Sequence, residues 1–204
     1  MRHNGWVCII DDDEAVRESL RLLLFASGFK SVQFESADAY LALDDPPEVD
    51  VFLLDIRMPG TDGMELHRQL IDRGSRAPVI FITGHGDIPL AVSAMHHGAR
   101  DFLTKPFEEG ELVSKITVAV REFRELRREL GEVARLRARL ERLTPRESEV
   151  MSRIVGGLSN KQIARDLGIS PRTVEIHRSR VMEKMQADSV AALVHMVSLA
   201  EASD

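Results

Sequence analysis

Val51-Phe52-Leu53-Leu54-Asp55-Ile56-Arg57-Met58-Pro59-Gly60 places four consecutive apolar residues between Asp50 and a Pro-Gly breaker, with one carboxylate at the far end of the run. An unbroken apolar run of this length predicts a strand buried on both faces, the pattern of a parallel sheet covered by helices. Asp55 then stands at the strand's C-terminal end. That edge is where open α/β sheets bind their ligands, so the rest of the chain can be read for what surrounds Asp55.

Upstream, Val7-Cys8-Ile9-Ile10 forms a short apolar run that ends in Asp11-Asp12-Asp13-Glu14. A helix-periodic segment from Ala15 to Ala26 follows, closed by Gly28, and then a weaker strand at Val32 to Phe34 and a helix from Ala37 to Leu43. Downstream come a helix from Met64 to Arg73, a strand from Val79 to Thr83, a helix from Pro89 to His97, and a strand from Asp101 to Thr104 before Lys105-Pro106-Phe107. Five strands alternating with helices specify a doubly wound, flavodoxin-like parallel sheet. The stretch is too short for a two-half dinucleotide fold, and no Gly-x-Gly-x-x-Gly follows its first strand.

The polar residues of this region fall at one edge of the expected sheet: Asp11 and Asp12 after the first strand, Asp55 after the third, Thr83 after the fourth, Lys105 after the fifth. Clustered carboxylates with few nitrogen or sulfur ligands suit a hard divalent cation, Mg²⁺ or else Mn²⁺. Such an ion offsets repulsion among the acids and neutralises an incoming phosphoryl group, whose other oxygens Lys105 and the Thr83 hydroxyl could hold. The chemistry favoured is phosphoryl transfer onto Asp55 as nucleophile. Taken singly, each residue has a plainer role, an aspartate capping a helix or a lysine in solvent; five in order on one edge do not. His85, His96 and His97 look like a metal cluster, but the adjacent His96 and His97 point to different sides of a helix, so a solvated or partner-facing role is expected.

Composition sets outer bounds. The 204 residues allow two small domains, and the net charge of -6 is unevenly spread. Residues 1–122 carry 12 Lys/Arg against 21 Asp/Glu, whereas residues 144–186 carry 8 against 5, so nucleic acid, if bound, is expected on the C-terminal half. No apolar run approaches 18 residues and the N-terminus lacks a signal peptide's apolar core, which predicts a cytoplasmic protein. The single Cys8, inside a strand, excludes an internal disulfide and reads as a small buried hydrophobe.

After Phe107, apolar residues recur at alternating spacings of four and three: Leu112, Ile116, Ala119, Phe123, Leu126, Leu130 and Val133. This heptad seam continues, after a three-residue slip at Val133, with Leu136, Leu140 and Leu143. The helix after the fifth strand is therefore expected to run on toward residue 143 as a rod, with Gly131, which costs about 1 kcal/mol relative to Ala, as the place where an interruption would fall. The first half of the seam reads as intramolecular core; the second half is divided between a solvated linker and an intermolecular coiled coil.

Thr144-Pro145-Arg146-Glu147 is a capping box with proline at the first helical position, so a new helix starts there. It ends at Gly156-Gly157; Ser159-Asn160-Lys161-Gln162 opens a second helix, closed by Gly168, and Ser170-Pro171 opens a third. In the third, Val174, Val181 and Met185 form the apolar stripe, leaving Arg172, Thr173, Glu175, Ile176, Ser179 and Arg180 outward. A short helix, a glycine turn and a second helix make a helix-turn-helix, and that mixture of side chains suits the major groove. Lys161 and Lys184 would suit phosphates.

The pattern Asp11-Asp12, Asp55-x-x-x-Pro59-Gly60, Thr83-Gly84, Lys105-Pro106-Phe107 closely resembles the receiver domain of two-component response regulators. Leu143-Thr144-Pro145-Arg146-Glu147, Gly157-Leu158-Ser159-Asn160-Lys161-Gln162-Ile163-Ala164 and Ser170 to Arg178 resemble the four-helix LuxR/NarL-type DNA-binding domain. With Thr83-Gly84-His85-Gly86-Asp87 added, the chain is most similar to the FixJ subfamily of response regulators. The resemblance implies a receiver over 1–122, a helical linker over 123–143, and a DNA-binding domain over 144–204. It implies that Asp55 accepts phosphate from a sensor histidine kinase, that Asp11 and Asp12 hold Mg²⁺ together with the backbone carbonyl of Arg57, and that Thr83 moves toward the phosphoryl group. Phe102 matches an aromatic that swings inward behind it, without the hydroxyl of the tyrosine many receivers have there.

On the DNA side, the resemblance places Glu175, Ile176 and Ser179 near bases and Lys161, Arg172 and Arg178 near phosphates, and gives His177 a packing role. It implies a homodimer formed through a fourth helix, Ser189 to Leu199, on a two-fold operator in double-stranded DNA, with RNA polymerase as a further partner and activation as the output. The protein is then not an enzyme beyond phosphorylating and slowly dephosphorylating itself. Two other readings fit the residues. A phosphotransfer enzyme could use Asp55, but Ile56-Arg57 lacks the second aspartate such hydrolases use as acid and base. A DNA-binding protein with a vestigial receiver is opposed by the intact Asp11, Asp12, Asp55, Thr83 and Lys105.

Overall fold

The computed structural model describes residues 4–84 and 88–202, so His85, Gly86 and Asp87 of the quoted motif lie outside the described residues. The chain divides into two compact units, residues 1–126 and 127–204. In the first, strands β1 (Trp6–Ile10), β2 (Lys30–Phe34), β3 (Val51–Asp55), β4 (Val79–Thr83) and β5 (Asp101–Thr104) form one parallel sheet in the order β2-β1-β3-β4-β5. Helices α1 (Glu14–Ala26), α2 (Ala37–Leu41), α3 (Gly63–Asp72), α4 (Ile88–His96) and the start of α5 (Glu109–Glu141) connect and cover it.

The unbroken apolar runs are explained by a core on each face. Cys8, Ile10, Phe52, Leu54, Val79 and Phe81 point to one side, where they meet Tyr40, Leu66, Leu70 and Ala94 of α2, α3 and α4. Val7, Ile9, Val51, Leu53, Ile80 and Ile82 point to the other, against Leu20 and Leu24 of α1 and Leu112, Ile116 and Ala119 of α5. The central strands β1, β3 and β4 thus need an apolar residue at nearly every position, not at alternate ones. Cys8 is fully buried, and burial pushes its thiol well above the ordinary value.

Helix boundaries follow local chemistry. Asp13 caps α1 by accepting from the Ala15 and Val16 amides, Ser36 caps α2, and Asp62 caps α3. Gly28 and Gly74, with φ of +82° and +80°, end α1 and α3 in a conformation only glycine adopts freely. The second strand and second helix differ by a few residues from expectation, because β2 pairs on one side only and its residues are half-buried or exposed.

Helix α5 runs through Gly131 without the interruption that residue invited, over 33 residues or about 50 Å. Its seam has three fates. Leu112, Ile116 and Ala119 are buried against the sheet; Leu126 and Leu130 are 44% and 40% exposed; Leu140 and Leu143 pack on the core of the second unit. Arg124, at the receiver end, makes a two-pronged contact with the buried Asp50 carboxylate, Nε to Oδ1 at 3.0 Å and Nη2 to Oδ2 at 2.8 Å.

The second unit contains α6 (Pro145–Val155), α7 (Asn160–Leu167), α8 (Pro171–Met185) and α9 (Val190–Glu201) around Val150, Ile154, Ile163, Val174, Val181, Met185, Leu193 and Val197. The expected capping box forms, Thr144 with Glu147, and a second joins Ser159 with Gln162 at the start of α7. Gly168, at φ +63°, makes the turn between α7 and α8. No described helix is long and apolar enough to cross a membrane.

Candidate functional site

β1 and β3 are neighbours in the sheet, yet their connections leave in opposite directions, so a crevice opens at their C-terminal ends. Asp11 follows β1 directly and Asp55 ends β3. Both continue the phase of Val7, Ile9, Val51 and Leu53, which brings their carboxylates to the same side. Asp11 is 2% exposed and Asp55 8%.

Each carboxylate has one oxygen tied to backbone and the other turned to a shared cation. Asp11 Oδ1 accepts the Asp13 amide at 2.9 Å, and Asp55 Oδ2 accepts the Arg57 amide at 2.9 Å. The remaining oxygens, Asp11 Oδ2 and Asp55 Oδ1, meet Lys105 Nζ at 2.8 and 3.1 Å. Lys105 is delivered there because its amide donates to Thr83 O at 2.7 Å, extending the β4–β5 ladder by one bond before the cis Lys105-Pro106 peptide.

The electrostatics follow from this crowding. Burial pushes the Asp55 carboxyl above its ordinary value; the charge and hydrogen bond of Lys105 oppose that, and the Asp11 charge adds to it. Burial acts to lower the Lys105 ammonium, but the hydrogen bond and charge of Asp11, followed by those of Asp55, outweigh it and leave Lys105 raised. A buried acid pair held by one ammonium is short of positive charge, the condition under which a further cation is favoured.

Asp12, the neighbour of Asp11 in sequence, is exposed. Among the described residues no group of three His, Cys, Asp or Glu side chains converges closely enough to hold a metal ion. The donor set that does converge is two carboxylates, all oxygen. It fits Mg²⁺, which binds through one or two carboxylates and keeps several waters.

Thr83 is fully buried and its hydroxyl donates to Gly84 O at 3.2 Å. It is in phase with Val79 and Phe81, and the half-buried Phe102 packs into that same core, on the α2–α4 side of the sheet. Thr83 and Phe102 thus share one face, whereas Asp11 and Asp55 are in phase with the other.

Gly63 is a site residue that sequence reasoning missed. A Cβ there would stand 2.1 Å from the Asp55 carbonyl oxygen and 3.1 Å from Ile56 Cα, so only glycine lets the first residue of α3 press on the acceptor's own backbone. The Gly63 amide donates to Ile56 O at 3.0 Å in the same contact. A glycine at a helix start reads as turn punctuation, and nothing local signals the close approach.

In the second unit, Val174, Val181 and Met185 are buried, and Arg172, Glu175, Ser179 and Arg180 are exposed on α8. Ile176 is 48% exposed, large for an aliphatic side chain, and Thr173 is half-buried with its hydroxyl 2.8 Å from Ser170 Oγ. Lys161 is exposed at the start of α7. Arg178 is half-buried, with Nη1 donating to Asn160 Oδ1 at 3.3 Å across the turn. His177 is half-buried as well, its Nδ1 enclosed in the domain.

Lys184 differs from expectation. Its ammonium donates to the buried Glu147 carboxylate at 2.5 Å and to Arg142 O at 3.1 Å, so it ties the end of α8 to the α5–α6 junction instead of facing a phosphate. Beside it, Arg139 of α5 donates to Met185 O at 3.1 Å and to Gln186 Oε1 at 2.5 Å. Gln186 caps α8 in the left-handed conformation, φ +55°.

The comparisons with known proteins agree with both halves. Residues 7–117 match the response regulator receiver domain, and residues 141–197 match the bacterial regulatory proteins of the luxR family. The chain is 43% identical over 196 residues to the transcriptional regulatory protein FixJ of Bradyrhizobium diazoefficiens, covering 96% of each. It is 46% identical over 194 residues to FixJ of Azorhizobium caulinodans, covering 95% of this chain and 92% of that one. Among solved structures, the response regulator StyR superposes with a TM-score of 0.88 at 42% identity, over 95% of this chain and 98% of that one. An acid pair at the sheet's switch point, a shared lysine, an attached helix-turn-helix and these matches lead to one conclusion: the chain belongs to the FixJ-type two-component response regulators and is a phosphorylation-controlled transcription regulator.

Proposed function

We propose that Asp55 is the phosphoryl acceptor and that a sensor histidine kinase is its donor. One observation supports this above others: Lys105 Nζ bridges Asp11 Oδ2 and Asp55 Oδ1, so a buried nucleophile, a second acid and a fixed cation face one point. An Asp55 carboxylate oxygen attacks phosphorus, the P–N bond of the donor phosphohistidine breaks, and the leaving imidazole takes a proton from water. The product is an acyl phosphate on Asp55.

Asp11, Asp12, Asp55 and the Arg57 carbonyl are the residues we assign to Mg²⁺, with Mn²⁺ as a substitute. Bound there, the ion supplies neutralisation of charge among the acids and on the transferred phosphoryl oxygens. Lys105 leaves Asp55 Oδ1 for a phosphoryl oxygen, and the Thr83 hydroxyl leaves Gly84 O for another. Movement of Thr83 vacates space on the α2–α4 side, which Phe102 can enter. The protein's chemistry ends at that acyl phosphate and its slow hydrolysis, so its role is that of a switch and not of an enzyme.

The output is homodimerisation and binding to a two-fold operator in double-stranded DNA. Arg172, Thr173, Glu175, Ile176, Ser179 and Arg180 are the side chains we assign to base edges and their surroundings, and Lys161, Arg172 and Arg178 to phosphates. Two half-sites multiply weak single-domain affinities, so dimerisation suffices as the control step. The dimer surface is assigned to α9, with the exposed Leu126 and Leu130 of α5 as a second contact, and the output to recruitment of RNA polymerase for activation.

The test is sedimentation equilibrium of wild type and Asp55→Ala with Mg²⁺, before and after acetyl phosphate, alongside mass determination. A mass gain of one phosphoryl group and a monomer-to-dimer shift confined to wild type are expected. Equal phosphoryl uptake by Asp55→Ala would overturn the acceptor assignment, and a wild type dimeric throughout would overturn dimerisation as the output.

A further inference from the structure

We infer that Asp38, on a helix that contributes nothing to the acid cluster, is a positioning residue for the phosphoacceptor site, acting through Thr61. The inference rests on Asp55 as the acceptor and concerns the loop 56–62 that joins β3 to α3. At its base the loop is fixed to Asp55 itself, by the Arg57 amide on Asp55 Oδ2 at 2.9 Å and by Gly63, just past its C-terminal end, which presses on the Asp55 carbonyl. Its tip is held by Asp38. Thr61 Oγ1 donates to Asp38 Oδ1 at 2.6 Å, and the Thr61 amide lies 3.5 Å from Asp38 Oδ2.

Gly60 shows how closely the two parts approach. It has φ +77°, and a Cβ built there would stand 2.4 Å from Asp38 Oδ2, so the Asp38 carboxylate occupies the place of the missing side chain. The Pro59-Gly60 pair, which in sequence is only a strand terminator, is here a turn shaped to receive an acid from another element.

Asp38 is a firm post because α2 is anchored on both sides of it. Ser36 caps the helix by accepting the Ala39 amide at 3.1 Å. Tyr40 is buried edge-on against Phe34 of β2 and Phe52 of β3, with ring centroids 5.3 and 5.5 Å apart. Phe52 lies three residues before Asp55 on the same strand. The loop is thereby clamped between two fixed points of one sheet, one at Asp55 and one reached through α2. The Arg57 carbonyl, a proposed metal ligand, lies between them and can hold its position only if both do.

The experiment uses the full chain in five forms: wild type, Asp38→Ala, Thr61→Val, Thr61→Ser and the double variant Asp38→Ala with Thr61→Val. Calorimetric Mg²⁺ binding, hydrogen exchange of amides 57–62 without metal, and the rate of phosphoryl uptake from acetyl phosphate at saturating Mg²⁺ are measured for each. Asp38→Ala and Thr61→Val are expected to weaken Mg²⁺ by about tenfold, as loss of an outer partner of a metal site does. Loop amides should exchange faster in both, amides of β1 and β4 should not, and Thr61→Ser should restore wild-type values. The double variant should be no worse than either single one.

Unchanged Mg²⁺ affinity and loop exchange in Asp38→Ala would overturn the inference, as would additive losses in the double variant. A general loss of protection across the sheet would likewise overturn it, by making Asp38 a support of the whole fold. Wild type that takes up no phosphoryl group would sink the acceptor assignment, whereas wild type that does, with variants that match it, sinks the Asp38 role alone.

Discussion

Replacing Gly63 by alanine adds one methyl group at the point where α3 touches the acceptor's backbone. That methyl would sit 2.1 Å from the Asp55 carbonyl oxygen, and contacts shorter than 3.0 Å are essentially never formed by real Cβ atoms. The gap must open by about 1 Å, and backbone on both sides leaves no flexible side chain to yield. Overpacking of this kind costs about 1–3 kcal/mol, and stretching the Gly63 N–H to Ile56 O bond about 1 kcal/mol more. The gain from alanine's helix propensity returns about 1 kcal/mol at most. The expected net loss is about 1–3 kcal/mol, or a receiver midpoint lowered by about 5–10 °C.

The larger effect is functional, since the displaced carbonyl belongs to Asp55. A misplacement of ~1 Å at a reacting group lowers rate by up to about 100-fold. Thermal unfolding and phosphoryl uptake from acetyl phosphate read the two effects separately. Gly131→Ala is the control, because nothing lies within 4 Å of a Cβ there, and it should stabilise by about 0.5–1 kcal/mol without touching uptake. A Gly63→Ala protein with wild-type midpoint and wild-type uptake would refute the reasoning.

Three further outcomes are expected. Lys184 first, then the Thr144 amide, hold the Glu147 carboxyl down at about 2, so its contribution to stability is complete above 4.5 and is lost as pH falls from 4.5 toward 2; Glu147→Gln should flatten that part of the acid-unfolding curve of the DNA-binding unit. Arg172→Ala should reduce the salt dependence of operator binding by about one counterion, whereas Lys184→Ala should leave the slope unchanged and lower the thermal midpoint, as read by fluorescence anisotropy over a salt series and by calorimetry. Leu126→Glu with Leu130→Glu should weaken any phosphorylation-dependent dimer seen by sedimentation without altering phosphoryl uptake, and a dimer constant equal to wild type would remove α5 from the interface.

What could be read in advance divides along physical lines. Strands β1, β3 and β4 were legible because burial on both faces demands apolar residues at every position, and Val51 to Leu54 or Val79 to Ile82 satisfy no other element so well; β2 and β5 were legible from their place in the alternation of strands and helices. Asp11, Asp55 and Lys105 were legible because each directly follows or ends a strand, and the topology alone brings those ends together.

Contacts that cross between elements were not legible. Lys184 has the spacing of an outward residue, and its partner Glu147 lies 37 positions away. Leu126, Leu130, Leu140 and Leu143 obey similar spacings and meet different fates, since periodicity locates a stripe on a helix without naming what covers it. Gly63 and Asp38 matter through a close approach and a hydrogen bond between loops and helices, and neither leaves a local mark.

The last turns of α5 bear on how such proteins can be recombined. Leu140 and Leu143 are core residues of the second unit, and Arg139 and the Arg142 carbonyl are bonded to the end of its third helix. A chimera that grafts this reader onto another input module at Thr144 would therefore remove part of the reader's own interior. A crossover placed upstream of Leu136, in the exposed stretch around Leu130, would transplant it whole, so the natural joint for exchange lies inside a continuous helix and not at the visible break between helices.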